Sequence, residues 1–171
     1  MDLTTQGMMM SALVSKYSLT QRVLHWLTLL LLFVSFFSHE AMADVWDAIT
    51  EGGGTAVTPA LGSQIHVYTG IAILVLTVLR LILRVTQGAP APVVGLHPLL
   101  AKASSAVHGL LYLVLLAIPL SGMAAWFAGF TDLAELHEVL FNIALALVGI
   151  HIAAALYHQF VLRDNLIARM R

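Results

Sequence analysis

Four apolar stretches, each long enough to cross a lipid bilayer as a helix, dominate this sequence of 171 residues. They cover residues 19–38, 65–84, 99–127 and 133–162, and a helical crossing needs about 20 such residues. Backbone polar groups inside lipid must be satisfied within the segment itself, which favours helices. The sequence therefore predicts an all-α integral membrane four-helix bundle, and the short remaining segments exclude a separate soluble domain.

Charge predicts how such a bundle is oriented. Four crossings place both termini and the connection between the second and third stretches on one side, which we name the basic end because it holds all eight basic residues: Lys16, Arg22, Arg80, Arg84, Lys102, Arg163, Arg169 and Arg171. The other side, the acidic end, holds only acidic charges, in a predicted loop over residues 39–64 and near the last turn: Glu40, Asp44, Asp47, Glu51, Asp132, Glu135 and Glu138. Because basic residues stay cytoplasmic, the sequence predicts that both termini lie in the cytoplasm.

The N-terminal region allows two interpretations. We expect residues 1–15 to be a disordered extension and residues 16–171 to form a single transmembrane domain. Ala41-Met42-Ala43 after the first stretch also fits a signal-peptide cleavage site. Cleavage would leave three crossings, and basic and acidic residues would no longer be separated between the two sides. We therefore favour an uncleaved first helix.

Four of the eight histidines lie in the apolar stretches at two matched depths. His66 and His137 are near the acidic end, whereas His25 and His151 are nearer the basic end. His137 and His151 are 14 residues apart, which on an α-helix means about 40° in direction and about 21 Å in height. The sequence therefore predicts two histidine pairs, stacked across the membrane.

Two facing imidazoles are the ligands of a six-coordinate haem b, and neutral imidazole buries no charge. Two such haems would form a path for electrons through the bundle. Gly70 and Gly149, near the ligands, would let a porphyrin lie close to the backbone. Arg80, fourteen residues after His66, would lie near the basic-end pair, where it either contacts haem propionates or extends to the interface.

Other interpretations of the histidines remain open. One alternative is a zinc site, which needs three or four close ligands, whereas each predicted pair supplies two. Another is a haem-free protein that lines a proton or metal path with histidines. His39 and His97 fall in predicted loops and are expected to be solvated. His108 and His158, close to the basic end, either contact a quinone or are plain interfacial residues. The absence of cysteine excludes disulfides and thiolate-bound haem or clusters.

Several motifs together resemble the bacterial cytochrome b561 family, and most closely its small di-haem members of the superoxide oxidase type. The motifs are Lys16-Tyr17-Ser18, His25-Trp26, IHVYTGIAILVLTVLRLILR, VHGLLYLVLLAIPLSGM and LHEVLFNIALALVGIHIAAALYHQFVLRDNLIARM. The resemblance implies a four-helix, multi-pass protein of the bacterial inner (cytoplasmic) membrane with two b haems. It implies as iron ligands the pairs His25 with His151 and His66 with His137.

The same resemblance implies electron transfer between the quinone pool and another redox partner. For the superoxide oxidase type, it implies oxidation of superoxide at the outer side and reduction of ubiquinone in the membrane, with His158 at the quinone. The acidic end would repel the superoxide anion, so a cationic redox protein or a dehydrogenase partner remains an alternative. The lipid bilayer is the expected setting, and no nucleic-acid partner is expected.

Overall fold

The computed structural model describes residues 16–52, 58–91 and 97–171, so the predicted disordered extension over residues 1–15 lies outside the described part. Five α-helices follow in order: α1 (Leu19–Phe37), α2 (His39–Glu51), α3 (Leu61–Thr86), α4 (Pro98–Ala128) and α5 (Asp132–Tyr157). A π-helical turn (His158–Leu162) continues α5, and a short 3-10 helix (Leu166–Met170) ends the tail. The described residues contain no strand.

Within the described residues, four helices are long and apolar enough to cross a membrane: α1, α3, α4 and α5 with its π-helical turn. They coincide with the four predicted stretches, and the largest difference is that α3 begins four residues earlier than expected. The predicted all-α bundle is therefore confirmed, and the chain is a multi-pass membrane protein. Helix α4 continues through Pro119, which is buried in its interior.

The prediction of a loop from residue 39 was wrong, because residues His39–Glu51 form helix α2. Ser38, which ends α1, keeps helical backbone angles (φ −91°, ψ −1°), so the chain enters α2 without a break. Nothing between Ser38 and Gly52 interrupts a helix, since the segment contains neither proline nor glycine. The four acidic residues there suggested a solvated loop, but a helix with one polar face also accommodates them.

Helix α2 presents its acidic residues on one face, which we name the acidic stripe. Its members are all exposed and recur at intervals of four, three and four residues: Glu40, Asp44, Asp47 and Glu51. Such spacing places them along a narrow arc of the helix. Val45 is buried on α2, which packs against α3, and a Cβ atom at Gly62 would lie 2.5 Å from the Cβ of Ala41. Close packing therefore holds α2 against the end of α3.

The membrane-spanning helices pack side by side in chain order. Helix α1 contacts α3, α3 contacts α4, and α4 contacts α5, whereas α1 and α5 make little close backbone contact within the described residues. A small cluster of Val114, Ala144 and Leu147 joins α4 to α5. Thr28 and Thr77 are buried, and each hydroxyl donates to a carbonyl of its own helix. Such small residues let helices approach closely in lipid.

The C-terminal tail folds back onto the start of α1 at the basic end. The backbone N–H of Tyr17 donates to the carbonyl of Arg169 at 3.2 Å. The indole N–H of Trp26 donates to the carbonyl of Met170 at 2.8 Å. The tail therefore connects the last spanning helix to the first, across the side of the bundle where α1 and α5 make little contact.

Candidate functional site

Helix α5 supplies one histidine to each of two facing pairs. His137, near the start of α5, faces His66 of α3 with ring centroids 6.1 Å apart and the rings inclined by 73°. His151, fourteen residues later, faces His25 of α1 with centroids 6.3 Å apart and an inclination of 59°. All four residues are partly buried. The structure thus brings together the two pairs that the matched depths suggested.

The spacing within each pair fits two imidazoles that share one iron. Imidazole nitrogens bind metals at about 2.0–2.1 Å, so two rings on opposite sides of one ion have centres about 6 Å apart. Both measured separations agree with this value. Among the described residues, no group of three or more His, Cys, Asp or Glu side chains could hold a metal ion.

The ring orientation of the acidic-end pair also suits metal binding. The Nδ1 atom of His66 lies 3.1 Å from the carbonyl oxygen of Ser35, and Nδ1 of His137 lies 2.7 Å from that of Ile118. Because a carbonyl oxygen only accepts, each Nδ1 carries the proton and donates it. The Nε2 atoms therefore keep their lone pairs, and carbonyl partners of this kind are typical of metal-bound histidines.

The basic-end pair has a different environment, because the guanidinium of Arg80 contacts it. Arg80 Nη2 donates to Nδ1 of His25 at 3.1 Å, and the guanidinium carbon lies 5.7 Å from the centre of the Tyr112 ring. A guanidinium has no acceptor atom, so in this arrangement the proton of His25 is on Nε2. For Nε2 to bind iron, that proton must move to Nδ1 and Arg80 must find another acceptor, such as a carboxylate.

Two glycines leave open space beside the ligands. A Cβ atom built at Gly70, one turn after His66, would meet no heavy atom within 4 Å, and the same holds for Gly149 before His151. A flat macrocycle needs such clearance next to its axial ligands. The space is therefore compatible with the predicted role of these glycines.

A third histidine stands beside each pair. The prediction that His39 lies in a solvated loop was wrong, since it begins α2 and its ring centroid lies 6.2 Å from that of His66. The exposed His108 lies edge-on to His151 with centroids 5.1 Å apart. His97 is exposed and caps α4, accepting the N–H of Leu99 at 3.3 Å. Two histidines outside the predicted pairs thus adjoin them.

The last candidate, His158, forms a pair that sequence reasoning missed. Its Nδ1 donates to Oδ2 of Asp164 at 2.5 Å, and only 12% and 14% of the two side chains are exposed. Oδ1 of Asp164 accepts the backbone N–H of Leu166 at 3.1 Å. The π-helical turn and the left-handed conformations of Arg163 and Asn165 bring the two side chains together. No helical periodicity signals a contact that depends on such a turn.

Comparison with known proteins agrees with this architecture. The sequence profile of the family described as prokaryotic cytochrome b561 matches residues 16–171. "Cytochrome b562" of Cereibacter sphaeroides is 36% identical, over 90% of this chain and 94% of its own length. "Probable superoxide oxidase CybB" of Yersinia pestis is 30% identical, over 91% and 95% of the two chains. "Cytochrome b561 homolog 1" of Escherichia coli is 30% identical, over 91% and 97%. The chain therefore belongs to the prokaryotic cytochrome b561 family of membrane electron-transfer proteins, which carry haem b.

Proposed function

We propose that this chain carries electrons across a bacterial inner membrane, from a donor at the acidic end to a quinone near the basic end, by means of two bound b haems. The observation that carries the proposal is the pair of histidine couples, each at the spacing that one iron requires, at two depths of the bundle. Both termini would then be cytoplasmic, because the basic end is the cytoplasmic end.

Each part of the site has a task in this proposal. His66 and His137 would hold the acidic-end haem, and His25 and His151 would hold the basic-end haem. Arg80, partly buried and able only to donate, would turn from His25 to the propionate carboxylates. A bound haem b supplies one-electron redox chemistry at its iron. The backbone carbonyls of Ser35 and Ile118 keep the acidic-end rings in the tautomer that leaves Nε2 free.

The first candidate donor is superoxide, since a relative at 30% identity is named a probable superoxide oxidase. Each superoxide gives up one electron and leaves as dioxygen. Two superoxide ions, one ubiquinone and two protons then give two dioxygen molecules and one ubiquinol. Near the basic end, His158 would donate a proton to the quinone and Asp164 would hold its imidazole.

The acidic stripe favours a second candidate donor, a cationic redox protein. Glu40, Asp44, Asp47 and Glu51 line the exposed face of α2, whose first residue, His39, adjoins His66. Such a field attracts a basic partner and repels an anion such as superoxide. The stripe also obeys the rule that excludes basic residues from the outer side.

The haem content of the purified protein tests the proposal directly. We expect the dithionite-reduced minus air-oxidised spectrum of the detergent-solubilised chain to show low-spin b-type bands, and extraction to give two haems per chain. One haem per chain would contradict the di-haem proposal. No haem, after expression with ample haem supply, would favour a histidine-lined proton or metal path instead.

Replacing His158 with alanine is expected to leave both haems in place and to slow quinone reduction. Loss of a positioned proton donor costs about 100-fold, the lower end of the range for general acid catalysis. The measurement is the rate at which dithionite-reduced protein is reoxidised by a short-chain ubiquinone, with H97N as control, because asparagine retains the helix cap of this exposed histidine. An unchanged rate would make His158 an ordinary interfacial residue.

A further inference from the structure

One backbone carbonyl of α4 receives two side-chain hydrogen bonds at the acidic end. The carbonyl oxygen of Ile118 accepts Nδ1–H of His137 at 2.7 Å and the hydroxyl of Ser121 at 2.9 Å. In a regular helix this oxygen also faces the N–H of residue 122. Ser121 is buried, and the ring of His137 is partly buried. The two side chains therefore share one acceptor on the helix that packs against α5.

Gly122, which follows Ser121, has no side chain, and the ring of His137 occupies the space that a side chain would need. A Cβ atom at Gly122 would lie 2.9 Å from Nδ1 and 3.0 Å from Cε1 of His137. Carbon and nitrogen atoms do not approach so closely without displacement, so even a methyl group would push the ring away. Gly109, on the same helix, would place its Cβ more than 4 Å from any heavy atom outside its chain neighbours and its own helix backbone. Of these two glycines of α4, only Gly122 is therefore in tight contact.

None of the other candidate ligands combines a carbonyl acceptor with a glycine against its ring in the described residues. His66 donates to the carbonyl of Ser35, which lies within α1. His25 faces the guanidinium of Arg80, and no hydrogen bond of the described residues fixes the ring of His151. His137 is therefore the ligand on α5 whose ring direction another helix determines.

We propose that the Ile118 carbonyl and the missing side chain at Gly122 together form a positioning site for His137. The carbonyl fixes the proton on Nδ1, and the absent side chain lets the ring approach so that Nε2 points toward His66. Gly122 and Ser121 are positioning residues here, since they act on the iron through His137. The inference rests on the proposed function, because it takes the His66–His137 pair to hold a haem.

The test compares wild type, Gly122→Ala and Gly109→Ala as detergent-purified holoproteins. We expect Gly122→Ala to lose one of two haems, or to lose or shift the low-spin electron paramagnetic resonance signal of the acidic-end haem, which is assigned by its absence in His66→Ala. Gly109→Ala should retain both haems and both signals. Wild-type protein with only one haem would overturn the di-haem function. Two haems in wild type with an unaltered Gly122→Ala spectrum would overturn the positioning role alone.

A second variant decides the matter if Gly122→Ala does not accumulate in the membrane. Ser121→Ala removes the competing donor, so the Ile118 carbonyl bonds more strongly to His137 and the imidazole becomes a more basic ligand. We expect both haems to be retained and the midpoint potential of the acidic-end haem alone to fall, since a more basic ligand stabilises ferric iron. Unchanged potentials of both haems in a redox titration would contradict the proposal.

Discussion

Replacing His151 with alanine is expected to remove the basic-end haem while the acidic-end haem remains. His151 faces His25 at 6.3 Å, and a six-coordinate iron without one axial ligand loses its low-spin state and much of its retention. The acidic-end pair lies about 21 Å away along α5, so its haem should be unaffected. The content should fall from two haems per chain to one, counted by extraction and by loss of one low-spin signal.

The neighbouring His108 provides the sharpest control for that experiment. Its ring lies 5.1 Å from that of His151, so it could substitute as a ligand in the single variant. His108→Ala alone should keep both haems, and the double variant with His151→Ala should contain one. Two low-spin haems in the double variant would contradict the pairing of His25 with His151.

Removing the charge of the acidic stripe is expected to change the rate of electron donation in opposite directions for the two candidate donors. The variant replaces Glu40 and Glu51 with glutamine and Asp44 and Asp47 with asparagine. Reduction by a basic c-type cytochrome should slow about tenfold at low salt, whereas reduction by superoxide should become faster, because electrostatic steering changes association rates by about 10- to 1000-fold. Stopped-flow rates at several ionic strengths measure both effects.

The native donor is the one that reduces the wild type faster than the variant without stripe charges. Exposed charges more than about 10 Å apart are screened at 0.1 M salt, so for either donor the difference from wild type should disappear as salt rises. Lys102→Gln, at the exposed start of α4 on the basic end, controls for a charge change away from the stripe. Rates unchanged with both donors would mean that the stripe reflects membrane topology only. Replacing Glu135 and Glu138 with glutamine tests the same field beside His137.

The spanning helices were predictable because their signal is local. An apolar run of the right length determines each crossing, and the fourteen-residue spacing of His137 and His151 survives in the structure because it depends only on helix geometry. Charge patterning was less informative within residues 39–51. A run with four acids fits a loop and an amphipathic helix equally well until its packing against α3 is known.

The contacts that orient the site were not predictable in the same way. The acceptors of His66 and His137 are main-chain carbonyls, and every residue has one, so no residue type marks Ser35 or Ile118 for this task. The missing side chain of Gly122 matters only once α5 is packed against α4, so the sequence alone does not reveal its role. Asp164 reaches His158 through a turn that departs from α-helical geometry.

The returning C-terminal tail has a consequence for biosynthesis. Met170 and Arg169, whose carbonyls accept from Trp26 and Tyr17, follow all four spanning helices in the chain and are therefore synthesised after them. The first spanning helix therefore makes these contacts only after the last spanning helix and residues 166–170 have been synthesised. Until then, the side of the bundle between α1 and α5, where His25 faces His151, lacks the tail that connects the two helices. If His25 and His151 hold a haem as proposed, its loading should be a late step, and removal of residues 166–171 should impair maturation more than insertion.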